Sequence, residues 1–429
     1  MLINIISIME NKMEEIKEKS NYCLSCKNKP CMKGCPLNND ITEFIRNIKE
    51  EKYEEAYKIL LETTVLSSIC GRICPHEKQC QGSCIRGIKQ QPVNIGYLES
   101  FIGDMAIEKN WKITKYEKNN NKKVAIIGGG PAGLTAAAFL ARYGFDVTIY
   151  EKNDNLGGIL YKGIPIFRLD KKILQNTISK ILELGIQVKY NVELEKNFTL
   201  EELKISYDAI LLTFGANISS KMKVEGEELI GVYGGNELLE KENYPNFNGK
   251  KVAVIGGGNV AMDTARTIKK LGAKAVYVVY RRAEKQMPAE KKEIKDAKLE
   301  EIEFLFQNNI VKIIGDKNNK VKQLECIKTE LVKKEGEERE VPVNIENSNY
   351  NLDIDYVIRA VGSETEKSIL QKLNLELNNC GYVKVDKQQK TSQEKVFAAG
   401  DLIGTKSTVA WAARSGRDAA ENIKNYLEN

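Results

Sequence analysis

The stretch KVAIIGGGPAGLTAAAFLARYGFDVTIYE, residues 123–151, decides how the chain is read. Four apolar residues run into three glycines, a small-residue segment of helical period follows, and a second apolar run ends in an acid. That order spells strand, tight turn, helix, strand. Gly128 permits the turn, Gly130 lets a diphosphate approach the backbone, and Gly133 allows the helix to lie close on the strand. Pro131 and Ala132 open the helix, whose free N–H groups and positive dipole end face the phosphates. Glu151 is placed to accept hydrogen bonds from a ribose hydroxyl. The alternative is a tight turn that holds no ligand.

A second copy follows at residues 251–282, KVAVIGGGNVAMDTARTIKKLGAKAVYVVYRR. Gly256 and Gly258 repeat the turn, Asn259 and Val260 open the helix, and Ala261 stands where the third glycine would be. Its second strand ends in Arg281 and Arg282 instead of an acid. A carboxylate repels a ribose 2′-phosphate, whereas guanidinium forks hold one. The second site is therefore expected to take NADPH; the alternative is that both arginines are solvated surface charges. Near the end, KVFAAGDL at 395–402 puts Asp401 after a short apolar strand, and a helix starts at Thr408 and Val409. Asp401 suits the ribityl chain of a flavin, and the helix N-terminus stabilises negative charge on its pyrimidine edge. The first turn, with Gly158 and this last segment, is thus expected to bind FAD. The FAD domain is then split, with the NADP domain inserted in its middle.

Outward toward the N-terminus the texture changes. Eight of ten cysteines lie before residue 85, in NYCLSCKNKPCMKGCP (21–36) and CGRICPHEKQCQGSC (70–84). Between them, residues 40–63 keep a helical period after an Asp40–Glu43 capping pair, which predicts one helix or a broken pair. The spacing departs from the C-x2-C-x2-C-x3-C-P run of ferredoxins by two extra residues before Cys31. Zinc is the alternative for such CxxC pairs. His76 is the only histidine, so no cysteine–histidine zinc pattern can be assembled, and it reads as a surface or packing residue. Cys326 and Cys380 stand alone and read as ordinary buried or half-buried thiols.

Across 429 residues the composition is that of a globular protein, 42% apolar and 29% charged, with a net charge of +6 and no basic tract of the kind that binds nucleic acid. No run approaches the roughly 20 apolar residues of a membrane helix. The apolar opening lacks the basic start and cleavage site of a secretory signal. A cytoplasmic protein is expected, with reduced thiols available for metal rather than for disulfides.

These motifs, with PVNIGYLE (92–99), LGGILYKGIPIFRLD (156–170), GGGNVAMDTA, YRRAEKQMPA and AAGD, resemble the glutamate synthase small-subunit family and the N-terminal half of dihydropyrimidine dehydrogenases. The resemblance covers nearly the whole chain. It implies an α/β flavoprotein with two Rossmann-like dinucleotide-binding domains, preceded by a helical domain with two [4Fe–4S] clusters. The expected boundaries are 1–115 for the cluster domain, 122–235 and 361–429 for the FAD domain, and 236–360 for the NADP domain. It also implies interleaved ligands: Cys23, Cys26, Cys31 and Cys84 for one cluster, and Cys35, Cys74, Cys80 and Glu99 for the other, with Cys70 binding no iron. Hydride passes from NADPH to FAD in this family, and single electrons go through the clusters to a larger, FMN-containing synthase or dehydrogenase. No catalytic acid or base is implied. Dihydropyrimidine dehydrogenation, and electron bifurcation between ferredoxin and NADP, are the related activities; an inert nucleotide-binding regulator is the reading from another class.

Overall fold

The computed structural model describes residues 2–116, 120–241, 244–333 and 340–429, with the side chains of the first helix from residue 11 onward. The runs EKNNNKK (117–123) and KKEGEERE (333–340), whose sequence reads as solvated loops or hairpin ends, lie in part outside the described residues. The chain divides into two compact units: Met1–Tyr161 with Ile166–Gly215 and Lys367–Asn429, and Lys162–Pro165 with Ala216–Glu366.

The first unit starts with helices Leu2–Asn21, Pro30–Gly34, Ile41–Lys49, Tyr53–Leu61, Ser67–Ile73 and Ile95–Glu108. Asp40 caps the third of these by accepting the Glu43 N–H. Glu51, at φ 58°, then leaves the helical region, so residues 41–61 form a broken pair. The apolar stripes of the pair meet in a core of Phe44, Ile45, Leu60, Leu66, Ile69, Leu98 and Ile102, all buried.

The same unit carries a five-stranded parallel sheet, in the order Val396–Ala398, Ala209–Leu212, Lys123–Ile127, Asp146–Tyr150, Gln187–Lys189. Its edge strand arrives from the far end of the chain, with Phe397 opposite Leu211. Helix Pro131–Arg142 is buried along its whole length, and the last helix, Val409–Glu428, packs on it. Arg142 fastens this sheet layer to the N-terminal helices. It is 1% exposed, and its guanidinium donates to Thr114 O at 3.0 Å and Leu61 O at 2.5 Å while lying 4.0 Å from the Tyr116 ring centre.

The second unit holds another five-stranded parallel sheet: Val232–Gly234, Tyr356–Arg359, Lys251–Ile255, Ala275–Tyr280, Glu303–Phe306. An antiparallel sheet built on the long strand Val321–Val332 follows, with Asn308–Gly315, Val341–Asn344 and Tyr350–Asp353 paired to it. A two-stranded ribbon, Ile218–Ser219 with Ser363–Glu364, lies where the chain enters and leaves the unit. By its contacts the unit takes in residues 216–366, a wider span than the 236–360 expected for the NADP domain. The reason is pairing: Tyr233 lies opposite Ile358, which commits residues 232–234 to this sheet. No helix among the described residues is long and apolar enough to cross a membrane.

Candidate cofactor and cluster sites

The first strand of residues 123–127 ends where Gly128 N donates to Tyr150 O at 2.8 Å. Gly128 sits at φ 104°, a conformation that a side chain disfavours. Gly130 precedes the helix that Pro131 and Ala132 open, and nothing lies within 4 Å of where a Cβ on Gly130 would stand. That room, facing free helix N–H groups, fits a diphosphate. Glu151 is buried, and its carboxylate braces the turn: Oε2 accepts from Gly129 N at 2.8 Å, and Oε1 from Asn153 N and Nδ2 at 3.0 and 2.8 Å. Gly129 and Asn153 were not legible as site residues; the acid at the strand end was the only signal. Gly157 N donates to Gly129 O at 2.8 Å, which brings Gly158 against Gly130. Asp401 is half-buried, accepts from Thr405 Oγ1 at 2.7 Å, and has its carboxyl pushed up by burial. Thr408 caps the last helix, just ahead of Val409.

In the second unit Gly256, at φ 143°, donates from its N–H to Val279 O at 3.0 Å. Gly258 precedes helix Asn259–Lys270, and the nearest atom to a Cβ there is Pro288 Cγ at 3.9 Å. Asn259 Oδ1 accepts from Glu290 N at 3.0 Å, and Val260 packs toward Gly235. One expectation is corrected by the strand register. Ile127 faces Tyr150, whereas Ile255 faces Val279, so Tyr280, not an arginine, occupies the place of Glu151. The Tyr280 ring lies against Gly257 and its hydroxyl donates to Gln286 O at 2.9 Å. Arg281 and Arg282 come one and two residues later, held by their carbonyls: Thr329 Oγ1 donates to Arg281 O at 2.9 Å and Gln307 N to Arg282 O at 3.1 Å. Arg281 is exposed, and Arg282 Nε is buried without a hydrogen-bond partner among the described residues. An orphaned guanidinium N–H beside an exposed guanidinium fits a 2′-phosphate.

Four of the cysteines, Cys23, Cys26, Cys31 and Cys84, line one cavity with Leu24, Pro30, Ile41, Ile45, Ile85, Arg86 and Val93. Ser25 and Lys29 adopt φ 51° and 43°, and these left-handed positions wind the loop around the cavity. Lys49 Nζ donates to Cys23 O at 2.7 Å. Burial pushes the Cys31 thiol up to about 11, with Cys23 and Cys84 adding to it.

Cys35, Cys74, Cys80 and Glu99 form a second, more buried group, joined by Cys70. Cys35 is pushed up to about 12 by burial and then by Glu99 and Cys70. Cys80 is raised by burial, Cys35 and Glu99. Cys74 is raised by its hydrogen bond with Cys70 and by burial. Glu99 is raised to about 8 by burial, opposed by the Asn39 amide. Such protonated, buried donors become ligands when a metal centre displaces their protons. Among the described residues no three Cys, His, Asp or Glu side chains converge as a single metal ion requires. A multi-iron cluster holds its thiolates farther apart and suits these wider groups. His76 packs against Gly96 and is kept neutral, burial drawing its pKa down to about 4. Cys326 is buried, but Cys380 is exposed rather than buried or half-buried.

Comparisons with known proteins agree with this geometry. Residues 122–416 match the pyridine nucleotide-disulphide oxidoreductase family, and residues 5–111 match dihydropyrimidine dehydrogenase domain II, 4Fe-4S cluster. The glutamate synthase [NADPH] small chain of Escherichia coli K12 is 33% identical, over 99% of this chain and 94% of its own. The NAD-dependent dihydropyrimidine dehydrogenase subunit PreT of Escherichia coli O157:H7 is 34% identical, over 96% and 94%. Mycobacterium tuberculosis FprA in complex with NADPH shares the fold, with a TM-score of 0.65 and 18% identity over 72% of this chain and 85% of that one. The chain belongs to the pyridine nucleotide-disulphide oxidoreductase family, as an FAD- and NADP-binding oxidoreductase with an N-terminal [4Fe–4S] domain, alongside the glutamate synthase small chains and the dihydropyrimidine dehydrogenase subunits.

Proposed function

We propose that this chain is an electron-input subunit, which oxidises NADPH and passes electrons through two [4Fe–4S] clusters to a separate, larger catalytic subunit. When bound, FAD exchanges electron pairs with a nicotinamide and the clusters carry electrons singly. The turn at Gly128–Gly133 holds the flavin diphosphate, Glu151 the ribose and Asp401 the ribityl chain, with the helix from Val409 aimed at the ring. Arg281 and Arg282 select the 2′-phosphate at the second turn. Cys23, Cys26, Cys31 and Cys84 hold one cluster; Cys35, Cys74, Cys80 and Glu99 hold the other. The observation that carries the reading is the cysteine-lined cavity inside the same compact unit as the first glycine turn. A dithiol mechanism finds no support in the sequence, where Cys326 and Cys380, the two cysteines after residue 84, stand far apart with no neighbouring cysteine.

The surroundings of that cavity favour a partner protein. Segments 21–36 and 79–98 carry Lys27, Lys33, Arg86 and Lys89 and no acidic residue, while Lys29 is paired with Asp40. Leu24, Ile85 and Ile88 are 52%, 43% and 76% exposed there. An apolar centre with a cationic rim suits an acidic redox protein. The test is anaerobic: NADPH should bleach the flavin absorbance of the purified chain, and an acidic ferredoxin added as probe should be reduced at a rate that falls with salt and with Lys89→Glu. A brown protein whose flavin does not bleach would sink the enzymatic reading. Bleaching with no transfer to any iron–sulfur probe would sink the subunit reading.

A further inference from the structure

Glu99 sits on helix Ile95–Glu108 and is 5% exposed, so its carboxylate needs a donor. Asn39 supplies it, with Nδ2 3.2 Å from Glu99 Oε1. Asn39 is itself 1% exposed and follows Cys35 by four residues, just ahead of helix Ile41–Lys49. Thr63 Oγ1 donates to Asn39 Oδ1 at 2.6 Å, which turns the amide NH2 toward the Glu99 carboxyl oxygen. Behind Thr63 stands Arg417, 7% exposed on the last helix; its Nη1 donates to Thr63 O at 2.9 Å and to Leu37 O at 3.0 Å. Arg414, on the same helix, donates to Pro36 O at 3.0 Å. Residues 35–39 are thus held from two sides, by guanidinium groups on their carbonyls and by Asn39 on Glu99.

We infer that Asn39, braced by Thr63 and Arg417, is the positioning residue for the oxygen donor of the second cysteine group. It occupies one carboxylate oxygen and leaves the other for iron. This rests on the reading that Cys35, Cys74, Cys80 and Glu99 hold a cluster. A hydrogen bond to the other oxygen of a ligating carboxylate withdraws electron density and fixes its orientation, which tunes potential as well as binding. The relay also runs in space from the helix that starts at Thr408 to the ligand segment, so the two are set by one hydrogen-bonded chain.

The experiment uses the full chain, reconstituted anaerobically with iron and sulfide. Iron and FAD content, the EPR spectrum after dithionite reduction and the midpoint potentials are compared for the wild type, Asn39→Leu, Thr63→Val and Glu99→Ala. Asn39→Leu should change the spectrum of one cluster and lower its midpoint potential, leaving the other cluster and FAD content unchanged. Thr63→Val, which removes only the brace, should shift the same signal by less and decides the matter if Asn39→Leu fails to fold. Spectra of both that superpose on the wild type at full iron content would overturn the positioning role alone. A Glu99→Ala spectrum equal to the wild type, or a wild-type chain that takes up no iron, would overturn the cluster reading and with it this inference.

Discussion

The two strand–turn–helix units are built to one pattern and diverge at two places. The first has Gly133 where the second has Ala261; the first has Glu151 where the second, by strand register, has Tyr280. A Cβ on Gly133 would lie 2.0 Å from Gly128 O, while the Ala261 methyl is accommodated and buried. Glu151 directs its charge inward, onto Gly129 N. Tyr280 fills the same space with a ring, and the charge that follows it is positive, exposed at Arg281 and half-buried at Arg282. A shared backbone therefore leaves the chemistry of each turn to the side chains around it.

The sharpest way to break this comparison is Gly133→Ala. If the two turns were interchangeable it would be silent, but the overlap with backbone should cost about 3 kcal/mol or more and abolish FAD retention on gel filtration. Next, Arg281→Ala with Arg282→Ala should lower kcat/KM for NADPH roughly a hundredfold to ten-thousandfold, at about 1.5–3 kcal/mol per charged contact, and leave NADH nearly unchanged. Equal effects on both coenzymes would remove the arginines from the 2′-phosphate site. Glu151→Ala leaves the Gly129 N–H without its acceptor, a loss of about 1–3 kcal/mol that should weaken FAD binding roughly tenfold in a fluorescence titration. Smallest of all, Tyr280→Phe removes one hydroxyl bond worth about 0.5–1.5 kcal/mol and should lower thermal stability slightly without changing coenzyme preference. A changed preference would show that Tyr280, standing in the place of Glu151, selects the coenzyme together with the arginines.

What was legible in the sequence was what local spacing encodes. Glycines at fixed offsets after an apolar run named both turns, and a late GD segment named the split of the FAD domain, whose edge strand at Val396–Ala398 indeed completes the first sheet. The concentration of cysteines before residue 85 marked the helical module. Register was not legible, because a one-residue offset between two strands leaves no trace in either alone; hence the arginines were set in the place of Glu151. Nor was the antiparallel sheet around Val321–Val332 anticipated, although its Thr329 holds Arg281. Asn39 and Thr63 carry no motif at all. They matter only because folding brings residues 24 and 60 positions apart into contact.

Arg142 gives the molecule a different kind of limit. Its guanidinium is satisfied by carbonyls at Leu61 and Thr114 and by the face of Tyr116, all contributed by chain that precedes the first glycine turn. A fragment starting at Lys122 would therefore expose a stranded charge inside what was its interface. The N-terminal module is not a cassette that recombination can lift off and graft elsewhere with impunity. Insertions and fusions should be tolerated at the outer ends of the chain, while the seam at Arg142 should resist being cut.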